Sequence, residues 1–198
     1  MNWTVAIVAI LFAAAFDASF GGLLSVGELR GQLLPAVVVF VLLFAPRGAA
    51  LRLAMIGGLV ADLLAPAVLP SSGTLHSVLV IPGPRVLGFL LGALAVLQLR
   101  GLLYRHNPLS GAVATGIFSV LTALVFVFIW SLRGLLYDAG TPWSPAPGAS
   151  EMSRRLLGAL GDALVALPAI WLLGRTRPLW AFSIVTRVTP GLARAQAS

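Results

Sequence analysis

The sequence predicts an all-α membrane protein, a polytopic bundle of about six transmembrane helices, on three observations. Hydrophobic residues make up 59% of the 198 positions and charged residues only 10%, and the mean hydropathy is +1.01. A soluble domain carries about 25% charged residues, so this chain has too few to cover a globular surface in water. Apolar stretches near the ~20 residues that a bilayer-crossing helix needs recur six times along the chain. The arginines, finally, fall singly or in pairs at the ends of those stretches.

The first stretch, about Trp3 to Leu24, is interrupted only by Asp17. It lacks the basic leading region of a signal peptide and carries a carboxylate within its apolar run, so it reads as a retained helix. The second, about Gln32 to Ala45, is short and ends at Pro46-Arg47. Local thinning of the bilayer or flanking residues accommodate such a mismatch. The third, about Ala49 to Leu69, holds Arg52 near its start and Asp62 deeper in, with Pro66 and Pro70 loosening its end. Ser71-Ser72-Gly73 then makes a turn.

The fourth helix begins at Pro84, a residue suited to a first helical turn because its missing N–H is no loss there. It runs to about Leu103 with Gly88 and Gly92 at close-packing spacing, and a polar junction from Tyr104 to Pro108 follows. The fifth, about Leu109 to Leu132, is the cleanest spanning signal. Residues Asp138 to Ser153 are rich in Pro, Gly and Ser and read as a loop. The sixth, about Arg155 to Leu173, opens on Arg154-Arg155 and includes Asp162 and Pro168. Residues 1–177 thus form a six-helix transmembrane domain, and 178–198 a cytoplasmic, largely disordered tail in which Trp180 and Phe182 lie at the interface.

Charge placement orients the bundle in its membrane. With the N-terminus inside, cytoplasmic segments hold Arg47, Arg52, Arg100, Arg105, Arg175, Arg177, Arg187 and Arg194. The opposite side holds Arg30, Arg85, Arg133, Arg154 and Arg155, a bias in the expected direction. Both termini are therefore placed in the cytoplasm.

Several chemistries are excluded. The chain has no cysteine, which removes disulfides, thiolate zinc sites and cysteine nucleophiles. His76 and His106 lie on different loops with no acid or serine at suggestive spacing, so neither catalysis nor a metal centre is expected. All 13 basic residues are Arg, and because they are not gathered on one basic face, nucleic-acid binding is not expected either. No cofactor and no small-molecule substrate are expected.

The informative residues are the carboxylates at membrane depth, Asp17, Asp62 and Asp162. An ionised carboxylate there costs several kcal/mol unless paired or hydrogen-bonded. A proton or cation path would need more polar partners on the same helices. The favoured reading is that each Asp caps a helix, pairs with Arg or hydrogen-bonds across a helix interface. Arg52 is ten residues before Asp62, nearly three turns away, and is not its partner. Small-residue pairs at Ala14/Ala18, Gly88/Gly92 and Gly158/Asp162 suit close helix approach, within the chain or with a partner. Arg100 and Arg105 read as anchors among anionic headgroups or as a docking point for a cytoplasmic partner.

The middle of the chain resembles the MreD family, small membrane subunits of the bacterial rod-shape system. The likeness runs through Pro46-Arg47, Gly57-Gly58-Leu-Val-Ala-Asp62, Gly73-Thr-Leu-His76, Gly88-Phe-Leu-Leu-Gly92, Arg100 and Arg105, and ends on Gly161-Asp162 through Pro168 and Arg175 and Arg177. It covers about Leu33 to Arg177. The resemblance implies a non-catalytic scaffold beside an MreC-like membrane protein, coupling an actin-like MreB filament to the enzymes of peptidoglycan synthesis and cell-wall elongation. Asp62, Gly73 and His76 would shape the region between helices three and four. A long Pro-rich loop after helix five, the extra tail and Asp17 depart from the family pattern.

The alternative is a substrate-binding subunit of an energy-coupling-factor vitamin transporter, a related six-helix architecture. Ala14/Ala18 mimics the small-residue pair such subunits use to dock their coupling partner. A vitamin pocket needs convergent polar or aromatic groups at the outer end. The outer segments offer little beyond Glu28, Arg30, Gln32, His76, Trp143 and Glu151, which weighs against it.

Overall fold

A computed structural model describes residues 1–21, 25–26, 29–64, 67–69, 77–79, 81–103, 107–137 and 148–182. The chain is mostly helical, with six α-helices among these residues: α1 Trp3–Phe20, α2 Leu33–Phe44, α3 Arg47–Leu64, α4 Pro84–Leu99, α5 Pro108–Tyr137 and α6 Gly148–Arg175. Two small antiparallel ribbons join helices at one end of the bundle. β1 (Ser25–Val26) pairs with β2 (Leu29–Arg30) between α1 and α2, and β3 (Ala67–Leu69) with β4 (Ser77–Leu79) between α3 and α4.

The architecture is organised around α2. Every residue from Leu34 to Leu43 is buried, and α2 touches α1, α3, α4, α5 and α6. A helix that is apolar on all sides belongs in a core, and Leu-Leu-Pro-Ala-Val-Val-Val-Phe-Val-Leu-Leu-Phe is such a sequence. Its 12 residues reach only about 18 Å. The mismatch expected from that shortness does not arise at its side chains, because protein surrounds them. Pro35 falls in the first turn, where no intrahelical bond is lost.

The outer helices are apolar on their outward faces as well. Val8, Leu11 and Phe12 of α1, Val113, Leu124 and Phe128 of α5, and Leu160, Leu164 and Leu172 of α6 are all exposed. Three helices, Trp3–Phe20, Pro108–Leu136 and Gly148–Arg175, are long and apolar enough to cross a membrane. The others do not meet that standard by length and composition. α2 and α4 are shorter apolar helices, and α3, though 18 residues long, carries Arg47, Arg52 and Asp62.

Glycines set the close approaches. A Cβ on Gly58 would stand 2.7 Å from the Cα of Val86, so α3 meets the start of α4 backbone to backbone. Gly88 and Gly92 do the same for α4 and α5, where a Cβ would come within 3.1 Å of the Thr122 Cα and 3.0 Å of the Phe118 carbonyl oxygen. The Gly88/Gly92 pair is thus used within the chain. The Ala14/Ala18 pair is split: Ala14 is buried in the core and Ala18 is exposed. It forms no continuous small-residue face for a docking partner.

Three expectations need correction. The third helix ends at Leu64, and Ala67–Leu69 is a strand; two nearby prolines oppose helical continuation. The sixth helix starts at Gly148, so residues 148–153, expected in a loop, form its first turns. Glu151 lies there, three and four residues before Arg154 and Arg155, and ion-pairs with both at 2.7 and 2.8 Å. This is the helical spacing that brings opposite charges together.

The third correction concerns the C-terminal end and Trp180. Packing continues past residue 177: a 3-10 turn, Arg177–Trp180, folds back onto α1 and α6. Trp180 is buried among Phe40 and Phe182, its carbonyl accepts from the Asn2 N–H at 2.8 Å, and the Arg177 guanidinium stands 4.3 Å from the Phe44 ring centre. Trp130 is buried too. Both indoles are packed inside the protein.

Candidate functional site

The starts of α2 and α4 share a defect. Their N-cap residues, Gln32 and Gly83, make no side-chain capping hydrogen bond. A helix start leaves backbone N–H groups without intrahelical partners, and burial makes leaving them unmet costly. Carboxylates from other helices supply the acceptors. Asp17, in the last turn of α1, accepts from Leu33 N–H at 2.7 Å and Leu34 N–H at 2.9 Å. Asp162, in the middle of α6, accepts from Gln32 N–H at 2.7 Å. Three consecutive donors are therefore held between two helices.

Asp62 performs the same service for α4. It accepts from Gly83 N–H at 2.8 Å, Arg85 N–H at 3.2 Å and, more weakly, Val86 N–H at 3.4 Å. Pro84 has no N–H to offer. Gly58, one turn before Asp62, makes the contact possible by letting α3 lie against Val86. In each case a carboxyl group meets the positive end of a helix dipole, which offsets part of the cost of burying it. These hydrogen bonds also lock α1, α3 and α6 to the helices they cap.

The opposite end uses a cation in the complementary way. Arg100 follows α4 and donates from Nη1 to the carbonyl of Ala45, the residue that closes α2, at 2.6 Å. Cations are favoured where helix carbonyls run out of partners. One nitrogen of this guanidinium therefore serves a carbonyl of the bundle itself. Gly73, His76 and Arg105 lie outside the described residues.

Around the capped end lies a cavity of about 280 Å³. Its charged lining consists of Arg30, Arg85, Arg154, Arg155, Glu151 and Asp162. Phe89, Phe118 and Phe126 supply aromatic wall, and Ser119 and Thr122 place hydroxyls along α5. Arg85 donates from Nη1 to the Ala61 carbonyl at 2.8 Å. The guanidiniums of Arg155 and Arg85 stand 4.0 and 5.7 Å from the centre of the Phe126 ring. Ser119 is buried beside Asp162, and its hydroxyl lacks a hydrogen bond of good geometry. Asp17 and Asp62 do not line the cavity.

This convergence corrects the expectation that the outer segments offer few polar groups. Arg85, Ser119, Thr122, Phe126, Arg154 and Arg155 were not singled out because they are dispersed over three helices. One signal was available: Glu151, Arg154 and Arg155 at helical spacing mark a charged turn ahead of the apolar part of α6. Among the described residues no group of His, Asp and Glu is arranged to hold a metal ion. No family model, no curated protein and no solved structure matches the chain.

Proposed function

We propose that the chain is a non-catalytic integral membrane scaffold of the rod-shape machinery, an MreD-like subunit that helps couple an MreC-like protein and an MreB-like filament to cell-wall synthesis. One observation carries the reading beyond the sequence resemblance. All three carboxylates at membrane depth are occupied with backbone N–H groups of helix starts. Charge in lipid is costly and ordinarily marks function; here it is consumed in joining helices, as a scaffold requires and a proton or cation path does not.

In this proposal all six helices cross the bilayer, with both termini in the cytoplasm. The three long helices contact lipid over their exposed apolar faces, while α2 crosses inside the protein. The absence of cysteine makes the topology directly testable. Single cysteines placed by Gly101→Cys and Ala149→Cys are expected to react with a membrane-impermeant maleimide from opposite sides, Ala149→Cys alone being labelled in intact cells. Labelling of both from one side refutes the topology.

The partner assignment is tested by isolating the tagged protein from native membranes in mild detergent. Co-recovery of an MreC-like protein is the expected result. The cavity is the observation that favours the alternative, a substrate-binding transporter subunit. Recovery with an ATPase coupling module, and without an MreC-like protein, would establish that alternative in place of the scaffold.

A further inference from the structure

The cavity at the capped end holds more hydrogen-bond donors than its own acceptors satisfy. Glu151 is shared by two guanidiniums, those of Arg154 and Arg155. Arg30 makes no side-chain hydrogen bond or ion pair among the described residues. Asp162, the other acid in the lining, has one oxygen committed to Gln32 N–H, and nearby Asp17 and Asp62 are committed to the starts of α2 and α4. Arg85 and Arg155 both stand over one ring, that of Phe126, where two like charges repel in a setting poor in water. Ser119 adds a buried hydroxyl without a well-formed bond.

We infer that this cavity binds a phosphate group, of a free phosphate ester or of a lipid head group, held by Arg30, Arg85, Arg154 and Arg155 against the Phe126 wall. Guanidiniums present paired N–H donors that match phosphate oxygens. A phosphate offers more acceptor oxygens than a carboxylate, which suits arginines arriving from β2, α4 and α6. An anion seated between Arg85 and Arg155 relieves their repulsion, and Phe89 and Phe118 face the carbon portion of the ligand. The volume, about 280 Å³, is that of a head group and not of a whole lipid. The inference concerns the cavity alone and is independent of the partners proposed above.

The test uses the full-length purified protein in two arms. In detergent, its melting midpoint is followed against inorganic phosphate and glycerol 3-phosphate, with chloride at equal ionic strength as reference. In nanodiscs of phosphatidylcholine containing phosphatidic acid, retained lipid is identified by native mass spectrometry. Saturable stabilisation by the soluble phosphates assigns a free phosphate ester as ligand. Selective retention of phosphatidic acid without that stabilisation assigns a lipid head group; either supports the inference.

Arg30→Gln and the double variant Arg30→Gln/Arg154→Gln are expected to weaken the response about tenfold or more. Both side chains are exposed, so these variants keep the parent fold, and Arg30→Gln alone carries the test if the double variant unfolds. Arg133→Gln, whose guanidinium stands over Trp130 outside the cavity, is expected to leave binding unchanged. No preference for phosphate in either arm, or a preference that survives loss of Arg30 and Arg154, overturns the inference.

Discussion

A Gly58→Leu protein is expected to lose the native bundle, whereas Gly48→Leu, also in α3, is expected to keep the parent's yield and melting midpoint. The contrast follows from space. Even the first carbon of a side chain on Gly58 would lie 2.7 Å from the Val86 Cα and 3.1 Å from the Arg85 carbonyl oxygen. Backbone cannot rotate aside as a flexible side chain does. At Gly48 nothing lies within 4 Å of the same position. Overpacking a well-filled interior costs about 1–3 kcal/mol, occasionally more, and here relief requires prising α3 from α4.

That separation also draws Asp62 away from the three N–H groups it serves, so two penalties arise from one substitution. Size-exclusion profiles and thermal unfolding in detergent provide the check. A monodisperse Gly58→Leu protein melting like the parent would show that the two helices are not held as close as described.

Removing the Asp62 carboxylate is the second large effect. Asp62→Ala leaves the N–H groups of Gly83, Arg85 and Val86 without an acceptor and strips the neighbouring Arg85 guanidinium of a nearby negative charge. A hydrogen bond to a charged group is worth about 1.5–3 kcal/mol, and abandoning a buried donor adds its desolvation penalty. The expected loss is about 3 kcal/mol, or roughly 6–12 °C in melting midpoint for a chain of this size.

Asp62→Asn retains a carbonyl oxygen without the charge and is expected to fall between the two. This ordering separates capping from packing, since Asn and Asp have nearly the same shape. Equal stability of the Asn and Ala variants would mean that charge, and not hydrogen-bond acceptance, matters at this position. Unchanged stability in both would remove Asp62 from its role in joining α3 to α4.

Much of the helical plan was legible because it depends on local composition. Predominantly apolar runs mark all six helices, and Gly88 and Gly92 announce a close contact through spacing alone. Errors gathered where local rules conflict with distant contacts. Gly148-Ala-Ser-Glu-Met-Ser lacks an apolar period yet forms helical turns, tied by the pairing of Glu151 with Arg154 and Arg155. Trp180, near a polar tail, reads as interfacial until Phe40, Phe182 and the Asn2 N–H are seen around it.

The carboxylates show the boundary most clearly. That Asp17, Asp62 and Asp162 must be satisfied by something follows from their apolar neighbours and the cost of a buried charge. A further clue was open to inspection: α2 and α4 begin at Gln32 and Gly83, neither of which caps its own helix. Matching these donors to those acceptors needs three-dimensional proximity. Asp17 is 16 residues from Leu33, and Asp162 is 130 residues from Gln32.

Composition by itself settled that the chain is apolar and helical, because the transfer cost of each side chain and the period of a helix are local properties. Only the tertiary structure decided which carboxylate meets which helix start, that α2 is enclosed by its neighbours, and that four arginines gather around one cavity. Those outcomes depend on distances between residues far apart in the chain, and such distances exist only once the helices have packed.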